Sequence, residues 1–366
     1  MTPTTISFAR GAPSLDIVAA DELRVAAGVA LGSDPAGSFA YGTSVGYPPL
    51  RRWIAEKHGV PAERVIVTNG SMQADAFLFE HVVDAGDPVV VEAPTYDRTL
   101  LSLRGLGAQV MPIPLEADGI DVAALERALE GGARPKLAHV IPNFHNPAGC
   151  TLSLEKRRRL VELAERFDFV LFEDDPYVDI RFEGEDLPRM LDLDEVDRVV
   201  YASSFSKTVC PGIRVGYLVG PERHIEPITK LATSTYISPS MVAQSIVAEF
   251  CRSGAIDGSI ATVKAALRER RDALCAALKR ELPEARFVSP QGGYFLWVEL
   301  PDGADVDRLQ KAAAARGVAF VKGADFLLEG GENTLRLAYS GVTPGEIEDG
   351  VGRLAEAYGA VTAAAA

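Results

Sequence analysis

Between Arg64 and Asp175 short apolar runs alternate with longer amphipathic stretches, and that rhythm sets the expected architecture. RVIVT, DPVVVE, AQVMPIPL, KLAHVIP and FVLFEDD are runs rich in β-branched and apolar residues, the pattern of strands covered on both faces. NGSMQADAFLFEHVV, PTYDRTLLSLRGLG, residues 125–129 and LSLEKRRRLVELAERF lie between them and read as helices. Upstream, a helix is expected over residues 19–31, and another starts at Pro48-Pro49 with Leu50, Trp53 and Ile54 as its apolar face. His58-Gly59 ends that helix, the histidine reading as a charge in its last turn. Strand and helix in alternation predict an α/β fold with a mostly parallel sheet covered by helices. The binding crevice of such a sheet lies at the carboxyl ends of its strands.

Past Gly220 the texture changes. Helices are expected over residues 239–249 and 260–282, then a hairpin-like strand pair in FVSPQGGYFLWVEL and a short strand in VAFVKG. A strand in NTLRLAYS and a closing helix in PGEIEDGVGRLAEAYG follow. This predicts a smaller α+β domain. The expected division is residues 1–40 joining the small domain, 41–265 forming the large one and 266–366 completing the small one.

Composition narrows the function. A chain of 366 residues with 47% hydrophobic content buries a sizeable core. A net charge of −14 argues against nucleic acid as a partner. No apolar run is long enough to span a bilayer, and MTPTTISFARG lacks the basic and apolar regions of a signal peptide. Cys150, Cys210, Cys251 and Cys275 form no C-x-x-C, which suits reduced thiols in the cytoplasm. The AVTAAAA tail reads as a frayed helix end or disorder.

The chemistry is densest in YASSFSKTVCPGIRVGYLVG, residues 201–220, which reads as strand, polar loop, strand. A lone lysine, Lys207, lies between two apolar runs, where burying an ammonium is costly unless it is paired or reacts. A desolvated lysine of lowered pKa is the nucleophile that forms Schiff bases. Ser204, Ser206 and Arg214 around it suit a phosphate, which guanidinium binds through parallel hydrogen bonds. Taken alone, Ser-x-x-Lys reads equally as a surface loop.

The longer pattern S-x-S-K-x-x-x-P-G-x-R-x-G-Y resembles the cofactor-lysine segment of the fold-type I aminotransferases that use pyridoxal 5'-phosphate (PLP). The likeness is to the branch of 2-aminoadipate and aromatic aminotransferases, and to the aminotransferase-like halves of GntR-type regulators. It implies an aspartate-aminotransferase-like fold, with a large PLP-binding domain built on a seven-stranded sheet. By that resemblance Lys207 holds PLP as a Schiff base and moves the Cα proton, while Asp174, in D-x-P-Y with Tyr177, keeps the pyridine nitrogen protonated. Asn146, in N-P-A-G, binds the ring hydroxyl. Tyr96 stacks on the ring and counts with Lys207 and Asp174 among the catalytic residues. Ser71, Met72 and Gln73 supply N–H groups to the phosphate at a helix N-terminus, though the same segment also reads as an ordinary start capped by Ser71. Arg336, otherwise readable as a core-edge ion pair, grips the substrate α-carboxylate beside Asn146. Tyr41 reaches the phosphate of a neighbouring subunit, which implies a homodimer with shared sites. These motifs run in the family's order over nearly the whole chain.

The implied reaction passes an amino group from an α-amino acid to a 2-oxo acid. The same residues also permit a PLP-dependent lyase, cyclase or oxidase. A metal is the competing reading of Glu173, Asp174 and Asp175, but no second cluster at ligand spacing supports it. The regulator reading is not expected, since no basic winged-helix segment precedes Ile6. Three positions depart from the family pattern: His145 stands where glutamine is usual, Lys322 where proline is frequent, reading as a second cation near the site, and Arg10 where glycine is common. Arg10 reads either as a substrate-binding cation or as a solvated side chain, and residues 233–239 are expected along the substrate side chain.

Overall fold

The computed structural model describes residues 5–363; the expectations for residues 1–4 and 364–366 lie outside the described residues. Its strands are β1 (Ile6–Ser7), β2 (Val65–Thr68), β3 (Pro88–Ala93), β4 (Gln109–Glu116), β5 (Gly119–Ile120), β6 (Leu137–Val140), β7 (Val170–Asp174), β8 (Val199–Ser204), β9 (Gly216–Val219), β10 (Phe295–Glu299), β11 (Val318–Ala319), β12 (Val321–Lys322) and β13 (Thr334–Ala338). The large sheet runs β2-β9-β8-β7-β6-β3-β4-β5. Pairing is parallel from β8 through β4, while β9 runs antiparallel to both its neighbours. Seven strands match the expected sheet; the two-residue β5 adds an eighth, turned back antiparallel on β4. Pro112 and Pro114 fall on β4, which has only that short partner beyond it, where missing N–H groups cost little.

Period-two alternation distributes the strand side chains to two apolar layers. Val65, Val67, Leu171, Val199 and Tyr201 face one layer, and Ile66, Val170, Phe172, Val200 and Ala202 the other. A separate core gathers around β10 and β13, with Ile6, Phe8 and Ile17 from the start of the chain and Leu354 and Ala357 from the last helix, Pro344–Ala363. The long helix Ala255–Glu281 contributes Ile256 to the first core and Val263, Leu267 and Leu274 to this one.

Three local expectations need correction. FVSPQGGYFLWVEL does not form a hairpin: only β10 is a strand, it pairs antiparallel with β13, and Arg286 and Glu299 make an isolated bridge. VAFVKG divides into β11, parallel to β1, and β12, antiparallel to β13. His58 is not a helix-end charge. It is buried, its Nε2 lies 3.0 Å from the Tyr217 hydroxyl and its Nδ1 2.8 Å from Arg189 Nη1, and burial together with Arg189 pushes its pKa down to about 3. Gly59 ends the helix Pro48–His58 as expected, at φ 64°.

Candidate active site

The parallel strands end on one edge of the sheet, and the chemistry-bearing loops gather there. A cavity of about 140 Å³ is lined by Ser71, Met72, Asp75, Tyr96, Ile141, Asn146, Asp174, Tyr177, Ser204, Ser206, Lys207 and Arg214. A larger concavity, about 580 Å³, lies elsewhere, beside Asp302, Asp307, Lys322 and Glu332. It holds no comparable convergence: Lys322 pairs with Asp307 at 2.7 Å and is not a second cation beside Lys207.

Of the three acids at the end of β7, two are used by the scaffold. Glu173 accepts the N–H groups of Met190 and Leu191, both at 2.9 Å, and burial still raises its pKa to about 7. Asp175 accepts from Asn143 Nδ2 at 2.8 Å, and burial and the nearby Glu173 hold its pKa well above the carboxylate range. Asp174 alone lines the cavity. Its Oδ2 lies 3.4 Å from His139 Nε2, and its buried Oδ1 has no partner.

Lys207 follows the end of β8. Its ammonium donates to the carbonyl of Gly11 at 2.9 Å and lies 5.4 and 5.1 Å from the ring centres of Tyr177 and Tyr294. Among the described residues no carboxylate pairs with it. Burial, then the charges of Arg214 and Arg336, lower its pKa to about 8 against the opposing pull of Asp174. An amine so tuned is neutral far more often than an ordinary lysine.

At the other end, Ser204 Oγ lies 3.0 Å from Ser206 Oγ, which accepts from Arg214 Nη1 at 3.2 Å. The helix Ser71–Val82 points its N-terminus at this group, with Gly70 rather than Ser71 at the cap position and no side chain capping it. Gly70 has φ +87°, and a Cβ there would lie 2.2 Å from Arg214 Nη2, so glycine makes the room for the guanidinium.

Arg336, on β13, donates to Asn146 Oδ1 at 2.8 Å and to the Ala9 carbonyl at 2.7 Å, between the rings of Phe295 and Phe326 at 4.4 and 4.7 Å. Its Nε is buried without a partner. His145 supports the turn carrying Asn146: its Nε2 lies 3.0 Å from Glu92 Oε2, and its Nδ1 accepts from Ala148 N–H at 3.3 Å. That gives the unusual histidine a positioning task.

Not every expected residue converges. The Gln73 N–H donates to the Gly70 carbonyl at 3.2 Å, and its side chain accepts the N–H of Asn69 at 2.9 Å, bracing the turn. Tyr41 is 88% exposed, and Arg10 is exposed next to the two carbonyls that hold Arg336 and Lys207. In residues 233–239, Thr233 and Tyr236 bond to Ser44, and none lines the cavity. Conversely, Asp75 and His139 join the site without being expected there. Each had a signal: an acid four residues after Ser71 on a helix, and a histidine inside a buried strand.

Residues 7–354 match the family Aminotransferase class I and II. The chain belongs to this family. It is 33% identical over 367 residues to the aromatic-amino-acid aminotransferase 1 of Thermococcus litoralis, covering 97% of this chain and 88% of that protein. It is 34% identical over 360 residues to the 2-aminoadipate transaminase of Thermus thermophilus, covering 97% and 90%. The crystal structure of the alpha-aminoadipate aminotransferase of that organism, complexed with N-(5'-phosphopyridoxyl)-L-leucine, superposes with a TM-score of 0.94 at 34% identity over 98% of this chain and 93% of that one. The enzyme is a transaminase with the fold of aspartate aminotransferase, acting between an amino acid and a 2-oxo acid, and its cofactor is PLP. The residues present fit that cofactor: Asp174 offers an unpartnered buried oxygen, and Gly70 keeps open a cradle that a Cβ would fill.

Proposed function

We propose that Lys207 carries the cofactor covalently and moves the substrate's Cα proton, with the other cavity residues fixing the cofactor's two ends and the substrate carboxylate. The observation that supports this most is the state of Lys207: an amine with pKa about 8, held by a neutral carbonyl and two tyrosine rings, in one cavity with Asp174 and Arg214. When bound, PLP supplies the electron sink that stabilises a carbanion at Cα. Asp174 would hold a proton on the ring nitrogen, with His139 Nε2 3.4 Å from its Oδ2. Ser204, Ser206, Arg214 and the N–H groups at Ser71 and Met72 hold the phosphate. Asn146, whose oxygen is taken by Arg336, has its amide N–H for the ring hydroxyl. Tyr96 covers one side of the ring, its hydroxyl 3.9 Å from Met72 Sδ. The neutral Lys207 amine would take up and hold the substrate's Cα proton as general base.

Arg336 receives the α-carboxylate, for which a planar guanidinium between two rings is pre-oriented. Arg10, exposed and with no side-chain partner among the described residues, meets an acidic substrate side chain at the mouth. The names of the relatives, aromatic and 2-aminoadipate, support donors with extended side chains. The protein works as a homodimer: Tyr41 at 88% exposure, with Leu15, Phe39 and Val25 also exposed, suits a surface covered by a second copy. Four free thiols suit the reducing cytoplasm.

The test is to incubate the PLP form with single amino acids and measure pyridoxamine phosphate and the matching 2-oxo acid. Stoichiometric formation of both supports the reading. Ammonia, pyruvate or CO₂ in their place would move the protein to lyase chemistry.

A further inference from the structure

The cavity contains a carboxyl to which the reading above gives no work. Asp75 lies one turn into the helix Ser71–Val82, on the face of Ser71, and lines the same cavity as Asp174. It is only 7% exposed, and Asp174 only 4%. Each has an Oδ1 that is buried with no hydrogen-bond partner.

The groups facing Asp75 come from several elements. Asp174 comes from β7, with His139 of β6 behind it, and Tyr96 from the head of the helix Asp97–Gly105. Lys207 and Arg214 come from the loop between β8 and β9. Lys207 is held by the Gly11 carbonyl and Arg214 by Ser206, so neither neutralises Asp75 by direct pairing. Burial and the Asp174 charge push the Asp75 carboxyl well above its usual range. The Tyr96 hydroxyl, raised to about 12 by burial, Asp97 and Asp174, brings no charge near neutral pH.

We propose that Asp75 is the proton-bearing, neutral member of a carboxyl pair with Asp174, a positioning residue that leaves the pair's single negative charge on Asp174. This rests on the reading of Asp174 as the partner of the cofactor's ring nitrogen. Two carboxylates that share a dry site do not both ionise, and one keeps its proton to a raised pH. A single cationic ring nitrogen balances one carboxylate. A second ionised carboxyl beside it would be left uncompensated, which is what a proton on Asp75 prevents. Above the pH at which Asp75 ionises, the added charge favours the protonated forms of neighbouring groups, so the chromophore's titration moves upward.

The experiment is difference infrared spectroscopy of wild type and Asp75→Asn near neutral pH, as apoprotein and as PLP holoenzyme, in the C=O region of a protonated carboxyl. The expected result is a protonated-carboxyl component in wild type, beside those of the buried Glu173 and Asp175, that Asp75→Asn lacks and that titrates away at alkaline pH. The violet-edge absorbance profiles of the two holoenzymes should coincide at neutral pH and diverge only above that transition. Absence of that component in wild type, its persistence in Asp75→Asn, or a constant offset between the profiles at every pH would overturn the proposal. A change in melting temperature alone, with the component unmoved, would equally reduce Asp75 to a packing residue. If Asp75→Asn does not fold, Asp75→Glu in protein labelled with ¹³C-aspartate decides: the isotope-shifted band should lose the Asp75 component and keep only that of the buried Asp175. Failure of the Asp174 reading looks different: the chain would take up no PLP, or Asp174→Asn would transaminate like wild type, and the apoprotein band would still report on Asp75.

Discussion

Replacing Arg336 by lysine keeps a cation on β13 and removes the fork. The guanidinium bonds Asn146 at 2.8 Å and Ala9 at 2.7 Å while lying between Phe295 and Phe326, so its plane is fixed before substrate arrives. An ammonium cannot offer two parallel donors, and it loses the stacking on both rings. One charge-assisted hydrogen bond contributes about 1.5–3 kcal/mol and the ring contacts about 0.5–1 kcal/mol more. Together, about 2–4 kcal/mol corresponds to a fall in kcat/KM of roughly 30- to 900-fold for Arg336→Lys with an amino acid donor. The assay compares each donor with the primary amine that lacks its carboxylate, in wild type and variant, with the cofactor absorbance confirming an intact site. The loss should be confined to the carboxylated donor, so that the preference for amino acid over amine collapses. A kcat/KM within about threefold of wild type, or an equal loss on the amine, would refute the assignment of the carboxylate to this residue.

Lys207→Met should abolish the violet-edge absorbance and the trapping of PLP by borohydride, and in wild type the trapping rate should rise with pH through about 8. Because the folded pKa of Lys207 lies below 10.5, the unfolded chain binds more protons between about 8 and 10.5. Apoprotein stability therefore gains from this group as pH rises across that window, and the stabilisation by Lys207→Met, measured by denaturant titration, should be largest below pH 8 and shrink above it. Gly70→Ala places a Cβ 2.2 Å from Arg214 Nη2 at a φ of +87°, so Arg214 must move. PLP affinity, read by equilibrium dialysis of the phosphorylated against the unphosphorylated vitamer, should fall roughly 10- to 100-fold for the phosphorylated form only. Arg10→Ala should raise KM for acidic donors roughly two- to fivefold and leave leucine and aromatic donors unchanged; equal KM changes across the donor panel would remove Arg10 from the substrate site.

The parallel sheet was legible because strands such as PVVVEA and VLFED are buried on both faces and need apolar residues at nearly every position. Lys207 was legible for the complementary reason, a single cation between two such strands. Pairing partners were less so. Alternation in residues 287–300 signals a strand, yet nothing local says that β10 meets β13 instead of folding back on itself. His58 shows the same limit, since its place in a last turn does not reveal that its ring packs against Tyr217 and Tyr201. Among Glu173, Asp174 and Asp175, alternation along β7 could separate the middle acid from its neighbours, but which face held the cavity came from the tertiary fold. For Gln73 the motif marks a helix start, but not that its N–H turns to the Gly70 carbonyl at 3.2 Å while its side chain braces Asn69.

The opening strand β1 anchors a segment whose next residues, Ala9 and Gly11, lend their carbonyls to Arg336 and Lys207. Those two cations thus wait on uncharged placeholders. An incoming carboxylate is a stronger acceptor than an amide oxygen, so exchange at Arg336 is downhill, where an aspartate in the same spot would have to be evicted against a full ion pair. At Lys207 the same choice lets the amine shed its proton, because no resident anion holds it there. A short stretch at the beginning of the chain, far in sequence from either cation, therefore keeps the site both ordered and easy to enter.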